Sequence, residues 1–211
     1  VGQCIGAGAL AAVGSAYTLM VFLISVLLGL AMGSGTVFSL HYGAGNHVAL
    51  RRSIFSSFVL IGIVTLILNV AVFIWLDPIL RLLQVPQDIY GMMRSYLWII
   101  FCGIVFTFIY NFYASLLRAV GDSVTPLWFL AVSVVLNIAL DLFFILQLDW
   151  GIQGAAAATV LAQGVAALGI IIYTYRRRPE LRWHHEDMCF DRTCLKEIAS
   201  FSTPVSYTHL T

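Results

Sequence analysis

Between Val1 and Leu50 there is not one Asp, Glu, Lys or Arg, and nearly charge-free stretches recur along the rest of the chain. A helix rising 1.5 Å per residue needs about 20 apolar residues to cross a hydrocarbon core of about 30 Å. Five stretches meet that length: about Ala11–Leu40, Phe55–Leu76, Tyr96–Leu117, Leu127–Leu148 and Ile152–Tyr173. They are continuously apolar, whereas barrel strands alternate over about ten residues, so helices are expected. With 61% hydrophobic and only 10% charged residues, an ordinary soluble domain is excluded. The expected fold class is an all-α polytopic membrane protein of five transmembrane helices, with the lipid bilayer as its surroundings and no nucleic-acid partner.

The basic residues give these spans a direction. Arg51 and Arg52 precede the second span, Arg118 follows the third, and Arg176, Arg177, Arg178 and Arg182 follow the fifth. All three positions fall on one side, and Lys and Arg in short loops are retained in the cytoplasm. The opposite loops offset Arg81 and Arg94 with Asp77 and Asp88, and the turn at Asp149, Trp150 and Gly151 has no base. That side is expected to face outward, with the pair Asp77, Pro78 ending the second helix.

Cys4, Cys102, Cys189 and Cys194 show no secreted disulfide framework. His184, His185, Cys189 and Cys194 are of zinc-ligand type, but their spacing fits no paired knuckle, so a charged connector is the expected reading and no metal site is assigned. Gly29 and Gly33 have the spacing that lets membrane helices approach closely, and the small residues of Gly151–Thr159 give the fifth span a smooth face. Neither is read as a phosphate loop, because no strand precedes a glycine-rich turn. Val1 is not a methionine and no leader pattern precedes the first run, so an internal fragment of a longer reading frame is expected. The tail VSYTHLT, residues 205–211, reads as a translated sequencing adaptor and is excluded from fold reasoning.

Polar residues inside the spans carry the functional signal, since lipid cannot satisfy them. Thr107, Asn111 and Ser115 recur every fourth residue and share one face, either bonding to another helix or lining a cavity. The aromatic residues around them, among them Phe101, Phe108 and Phe112, are read mostly as core and lipid contact. Ser133, Asn137 and Asp141 form a second stripe, and Asp141 is the one Asp, Glu, Lys or Arg well inside any of the five stretches. A carboxylate near mid-bilayer costs roughly 2.5–3.5 kcal/mol on insertion scales, so it normally faces a bundle interior and serves ions, protons or substrate. Desolvation favours the neutral acid there, which suits a proton carrier; a structural hydrogen bond to a neighbouring helix is the alternative.

Four segments, taken together and in order, carry a family resemblance: GAGALAAVG, then LHYGAGNHVALRR after the first span, LLRAVGDSVTPLWF between the third and fourth, and LNIALDLFFI with WGIQGAAAATVLAQ across the fourth and fifth. The chain resembles the multidrug and toxic compound extrusion (MATE) transporters over nearly all of Val1–Pro204. The resemblance implies twelve helices in two six-helix lobes with alternating access between them. Residues 1–175 then correspond to helices two to six of the amino-terminal lobe, and residues 176–204 to the cytoplasmic inter-lobe linker and the start of helix seven. It implies a cation site formed by Asn137, Asp141 and Thr159, with a further acid on a first helix that lies before Val1. It also implies export of organic, often cationic, compounds in exchange for protons or sodium ions, with no other cofactor. The setting is the cell (inner) membrane, and the carboxy-terminal lobe is the missing partner. A flippase for lipid-linked sugar precursors shares the fold but usually carries bases inside, and no Lys or Arg lies within these spans. An intramembrane enzyme would need a paired acid or a Ser and His pair in the membrane, and neither is present in these spans.

Overall fold

The computed structural model describes residues 7–82 and 87–183, and almost all of them are helical. The elements are α1 (Ala7–Gly43), α2 (His47–Leu82), α3 (Gln87–Cys102), α4 (Ile104–Ala119), α5 (Val124–Leu146) and α6 (Gly151–Arg177), followed by a 3₁₀ turn at Pro179–Leu181. Four helices among the described residues are long and apolar enough to cross a membrane, and α3 with α4 makes a fifth span bent by 43°. The five expected spans are therefore present. The chain is an integral, multi-pass membrane protein.

Two boundaries differ from expectation. Asp77 and Pro78 do not end the second helix, which runs on to Leu82. Leu76 and Leu80 are buried one turn apart, and the Asp77 carboxylate accepts hydrogen bonds from Tyr90 Oη and Arg94 Nε, both at 2.9 Å. Packing on one side of the last turns and an anchored carboxylate on the other hold the helix past its proline, although Pro78 has no N–H to give to the carbonyl of Ile74. The third span is not one helix but two, meeting at Gly103. No proline causes this break; it falls at a glycine, where side chains from other helices also meet the span.

The core follows from which faces are apolar on both sides. Phe38, Phe101, Phe112, Leu97 and Leu116 are fully buried where α1, α3 and α4 meet, and Phe58 lies against both Phe108 and Phe112 with ring centroids 5.2 Å apart. Of the two uses expected for the aromatic residues of the third span, core and lipid contact, Phe101, Phe108, Phe112 and Tyr113 take the first. α6 buries Gly154, Ala155, Ala156, Ala158, Ala162, Gly164 and Ala166, the smooth face expected of its small residues. α1 and α4 pack closely where Gly35 faces Ser115: a Cβ at Gly35 would lie 2.4 Å from Ser115 Oγ. α5 buries little, with Leu127, Trp128, Val135 and Ile138 all exposed, as suits a helix at the rim of this bundle.

The three base-bearing segments do share one end. Arg178 Nη2 lies 3.8 Å from Asp122 Oδ2 in the α4–α5 turn, and the rings of Trp183 and Phe55 are 5.9 Å apart. Gly121, at φ 88°, lets the chain reverse after α4 in a left-handed conformation that costs glycine little. The next residue then caps α5: Asp122 Oδ1 accepts from Thr125 N–H at 3.1 Å and Oδ2 from the Thr125 hydroxyl at 2.9 Å. This is the local meaning of the segment RAVGDSVT. The expected linker and start of helix seven beyond Trp183, the residues His184, His185, Cys189 and Cys194, the tail 205–211 and Cys4 lie outside the described residues.

Candidate functional site

A cavity of about 300 Å³ opens between α1, α4, α5 and α6. Five of the sequence candidates line it: Thr107, Asn111, Ser133, Asn137 and Thr159. The periodicity explains why. Spacing of four puts Thr107 with Asn111 on one face of α4 and Ser133 with Asn137 on one face of α5, and the small residues of α6 let α5 lie close. Asn137 Nδ2 donates to Thr159 Oγ1 at 3.2 Å, and the Thr159 hydroxyl donates back to Ala155 O at 3.0 Å. An amide on α5 and a hydroxyl on α6 therefore meet at the cavity wall.

The remaining polar groups of the wall are tied down by their own chains or by neighbours. Asn111 Nδ2 donates to Thr107 O at 2.8 Å, and Tyr110 Oη to Pro126 O at 2.9 Å. The Thr107 hydroxyl donates to the side-chain amide oxygen of Gln163. Gln163 escaped the sequence reading although a signal for it exists: it stands one turn after Thr159 on a helix otherwise rich in Ala, Gly and Ile. With Ile24, Leu130 and Val134 the wall is apolar with a few neutral polar groups, and none of its lining residues is charged. Such a chamber suits an organic ligand of modest size held by a few hydrogen bonds.

Two candidates stand elsewhere. Ser115 is buried between α4 and α1, where its hydroxyl donates to Ala31 O at 2.6 Å; it ties helices together rather than lining this cavity. Its place on the same stripe as Thr107 and Asn111 is real, but the stripe is longer than the cavity. Asp141 lies one turn beyond Asn137 on α5 and is not among the cavity's lining residues. Its Oδ1 is buried with no hydrogen-bond partner among the described residues, and Tyr96 of α3 lies within its electrostatic reach. A carboxylate oxygen left unpaired in an apolar bundle is costly unless a proton or a cation satisfies it.

At the base-bearing end, Asp122 is the one acid with several partners. Burial pushes its carboxyl up, but the Thr125 N–H and hydroxyl, Tyr173 Oη at 3.3 Å and the Arg178 guanidinium together outweigh burial and hold it below its ordinary value. This cluster joins the α4–α5 turn to the end of α6. At the other end Asp77, Tyr90 and Arg94 join α2 to α3.

The sequence profile of the MatE family matches residues 1–143. Among curated proteins, the chain is 36% identical over 178 residues to "Probable multidrug resistance protein YpnP" of Bacillus subtilis (strain 168), covering 84% of this chain and 40% of that protein. It is 32% identical over 171 residues to "Multidrug export protein MepA" of Staphylococcus saprophyticus, covering 77% and 37%. Among solved structures, a crystal structure of MATE in the bent conformation superposes with a TM-score of 0.92 at 25% identity, covering 97% of this chain and 46% of that one. A MOP superfamily transporter from Pyrococcus furiosus superposes with a TM-score of 0.87 at 26% identity, covering 98% and 46%. The chain thus spans less than half the length of the relatives it resembles, 37–46% of each.

Proposed function

The chain belongs to the MatE family of transporters, and from that premise we propose that it is part of the amino-terminal lobe of a cation-coupled multidrug exporter of the cell membrane. The single observation that carries the reading is the contact of Asn137 and Thr159 at the wall of a neutral cavity, with the unpaired oxygen of Asp141 one turn along the same helix. Asp141 is the group proposed to take up the coupling ion, a proton or sodium; Asn137 and Thr159 add neutral oxygen ligands or orient the acid. Thr107, Asn111 and Ser133 line the space proposed for a small organic substrate. Ser115 is left out of the site, for the reason its hydrogen bond gives.

The proposed mechanism is antiport by alternating access against a carboxy-terminal lobe. An ion shifts a conformational equilibrium only through its difference in affinity for the two states. A protonated or sodium-paired Asp141 tolerates the apolar contacts of a closed bundle, which the bare carboxylate does not, and this supplies the difference. The orientation follows from the shared end of Arg51, Arg52, Arg118 and Arg176–Arg178, proposed to be cytoplasmic. In this scheme residues 1–175 belong to helices two to six of the lobe and residues 176–204 to the connection towards helix seven.

The test is efflux of a cationic dye from vesicles holding the full-length protein, under an imposed proton gradient and separately a sodium gradient. Asp141→Asn keeps size and hydrogen bonding but removes the titratable charge. It is expected to insert normally and to abolish gradient-driven efflux, with Asn137→Ala weaker in effect and Thr159→Ala weakest. Near-normal efflux by Asp141→Asn under both gradients, at matched expression, makes Asp141 a structural acid and overturns the assignment.

A further inference from the structure

The break in the third span falls at Gly103, and a glycine weakens a helix there by only about 1 kcal/mol relative to alanine. Helix kinks usually trace to proline, to a π-bulge or to a group inserted into the backbone ladder, and residues 96–110 contain no proline. At the break the ladder gives way: Gly103 N–H is shared between Ile99 O at 3.2 Å and Ile100 O at 2.9 Å, and Phe106 N–H reaches back only to Gly103 O at 3.0 Å. Two side chains from other helices meet it there. Val160 of α6 fills the space beside Gly103, where a Cβ would lie 2.4 Å and 2.8 Å from the two Val160 methyls. Asn69 of α2 donates from Nδ2 to Phe101 O at 2.9 Å, the carbonyl that in an unbroken helix accepts from the Val105 N–H.

Asn69 is 8% exposed, and its Oδ1 has no partner among the described residues. A buried amide oxygen without a partner is costly, so stability alone favours an apolar residue at this position. The bend that Asn69 supports encloses a second, small chamber of about 30 Å³, lined among others by Phe101, Ile104, Thr107, Thr159, Val160 and Gln163. Thr107, Thr159 and Gln163 also line the large cavity. The angle at Gly103 therefore sets how Thr107 on α4 stands against Thr159 and Gln163 on α6.

We propose that Asn69 is a positioning residue of the transport site: by occupying the Phe101 carbonyl it holds the elbow at Gly103, and through Thr107 and Gln163 it sets the geometry around Thr159. The proposal rests on the transport reading above and deepens it. Straightening the span returns the Phe101 carbonyl to the Val105 N–H and releases Asn69, one hydrogen bond exchanged for another. Two arrangements that differ by such an exchange are the kind that a bound ion can bias.

The test uses the full-length protein in liposomes, with two readouts. In the first, Asn69→Leu is expected to raise the cation concentration for half-maximal efflux by about tenfold, the size of a typical coupling, while the maximal rate stays within about twofold. Gly103→Ala is expected to act in the same direction, and adding Val160→Ala to restore much of the shift because the two colliding methyls are gone. Unchanged half-saturation in both Asn69→Leu and Gly103→Ala, or a loss of maximal rate alone, overturns the proposal. The second readout is independent of transport. Spin labels at Gly91 and Gln153, both exposed near the start of α3 and of α6, report the elbow directly. Residues 91–102 of α3, swung through the 43° of the bend, move the label by up to about 12 Å. A shift of several ångströms in Asn69→Leu is expected. An unchanged distance in both variants overturns the proposal. A shifted distance in a protein that exports nothing under either gradient leaves the elbow standing and removes the transport reading instead.

Discussion

Asp122→Ala tests how the turn after α4 is held. The substitution removes four interactions at once: the cap on Thr125 N–H at 3.1 Å, the Thr125 hydroxyl at 2.9 Å, Tyr173 Oη at 3.3 Å and the 3.8 Å approach of Arg178. Loss of a helix cap costs about 1 kcal/mol. The Thr125 hydroxyl turns to water once released, so its loss adds little; the bond from Tyr173 to a charged acceptor adds about 1 kcal/mol, below the usual range because it is long. The Arg178 pair, whose side chains are 30% and 12% exposed, is screened and adds at most about 1 kcal/mol. The sum is about 2–3 kcal/mol, or a fall in Tm of about 5–10 °C on the scale of a domain of about 200 residues.

The pH dependence fixes the sign. The folded Asp122 carboxyl is held below its ordinary value, so its contribution is fully present above the usual carboxylate range near 3.9 and is lost as pH falls through the lowered folded value. The deficit of Asp122→Ala is therefore expected at pH 7 and should shrink once the medium is more acidic than that range. Asp122→Asn keeps an acceptor for the Thr125 N–H and should lose about 1 kcal/mol less. The assay is thermal unfolding of the full-length protein in detergent, followed by tryptophan fluorescence at neutral and acid pH. A Tm for Asp122→Ala equal to the wild type at neutral pH refutes the reasoning. So does a deficit that persists undiminished into strong acid, since the carboxylate's charge then contributes nothing.

Three further outcomes are expected. Gly35→Ala places a methyl 2.4 Å from Ser115 Oγ and should destabilise by about 1–3 kcal/mol in the same melt; adding Ser115→Ala should recover part of this, although it also gives up the bond to Ala31 O, and a double variant no better than the single one refutes the contact. A single cysteine introduced at Arg182 should be protected from a membrane-impermeant reagent in intact cells, and ready labelling from outside reverses the proposed orientation. Gly121→Ala forces a side chain onto a φ of 88° and should cost about 1 kcal/mol or more, whereas Gly91→Ala, at a helical position with nothing within 4 Å of the added Cβ, should be neutral or stabilising.

What the amino-acid sequence determined by itself is what depends on composition over about twenty residues and on local spacing. The runs around Phe55–Leu76 and Ile152–Tyr173 have one stable answer in lipid, because only a helix satisfies its own backbone there. The bases at Arg51, Arg118 and Arg176 share an end because two spans, an even number, separate each from the next. The stripes Thr107 with Asn111 and Ser133 with Asn137 point the same way because a helix repeats near every fourth residue. Tertiary structure decided which stripes meet. Ser115 continues the stripe of Thr107 yet belongs to the contact with Ala31 and Gly35, since a stripe does not record where the neighbouring helix ends and the cavity begins. Gln163 became part of the wall only when α4 brought Thr107 against it. The break at Gly103 left only a glycine as its mark in its own segment: what fixes it are Val160 on α6 and Asn69 on α2, and a hydrogen bond between residues 32 positions apart exists only once the helices have packed.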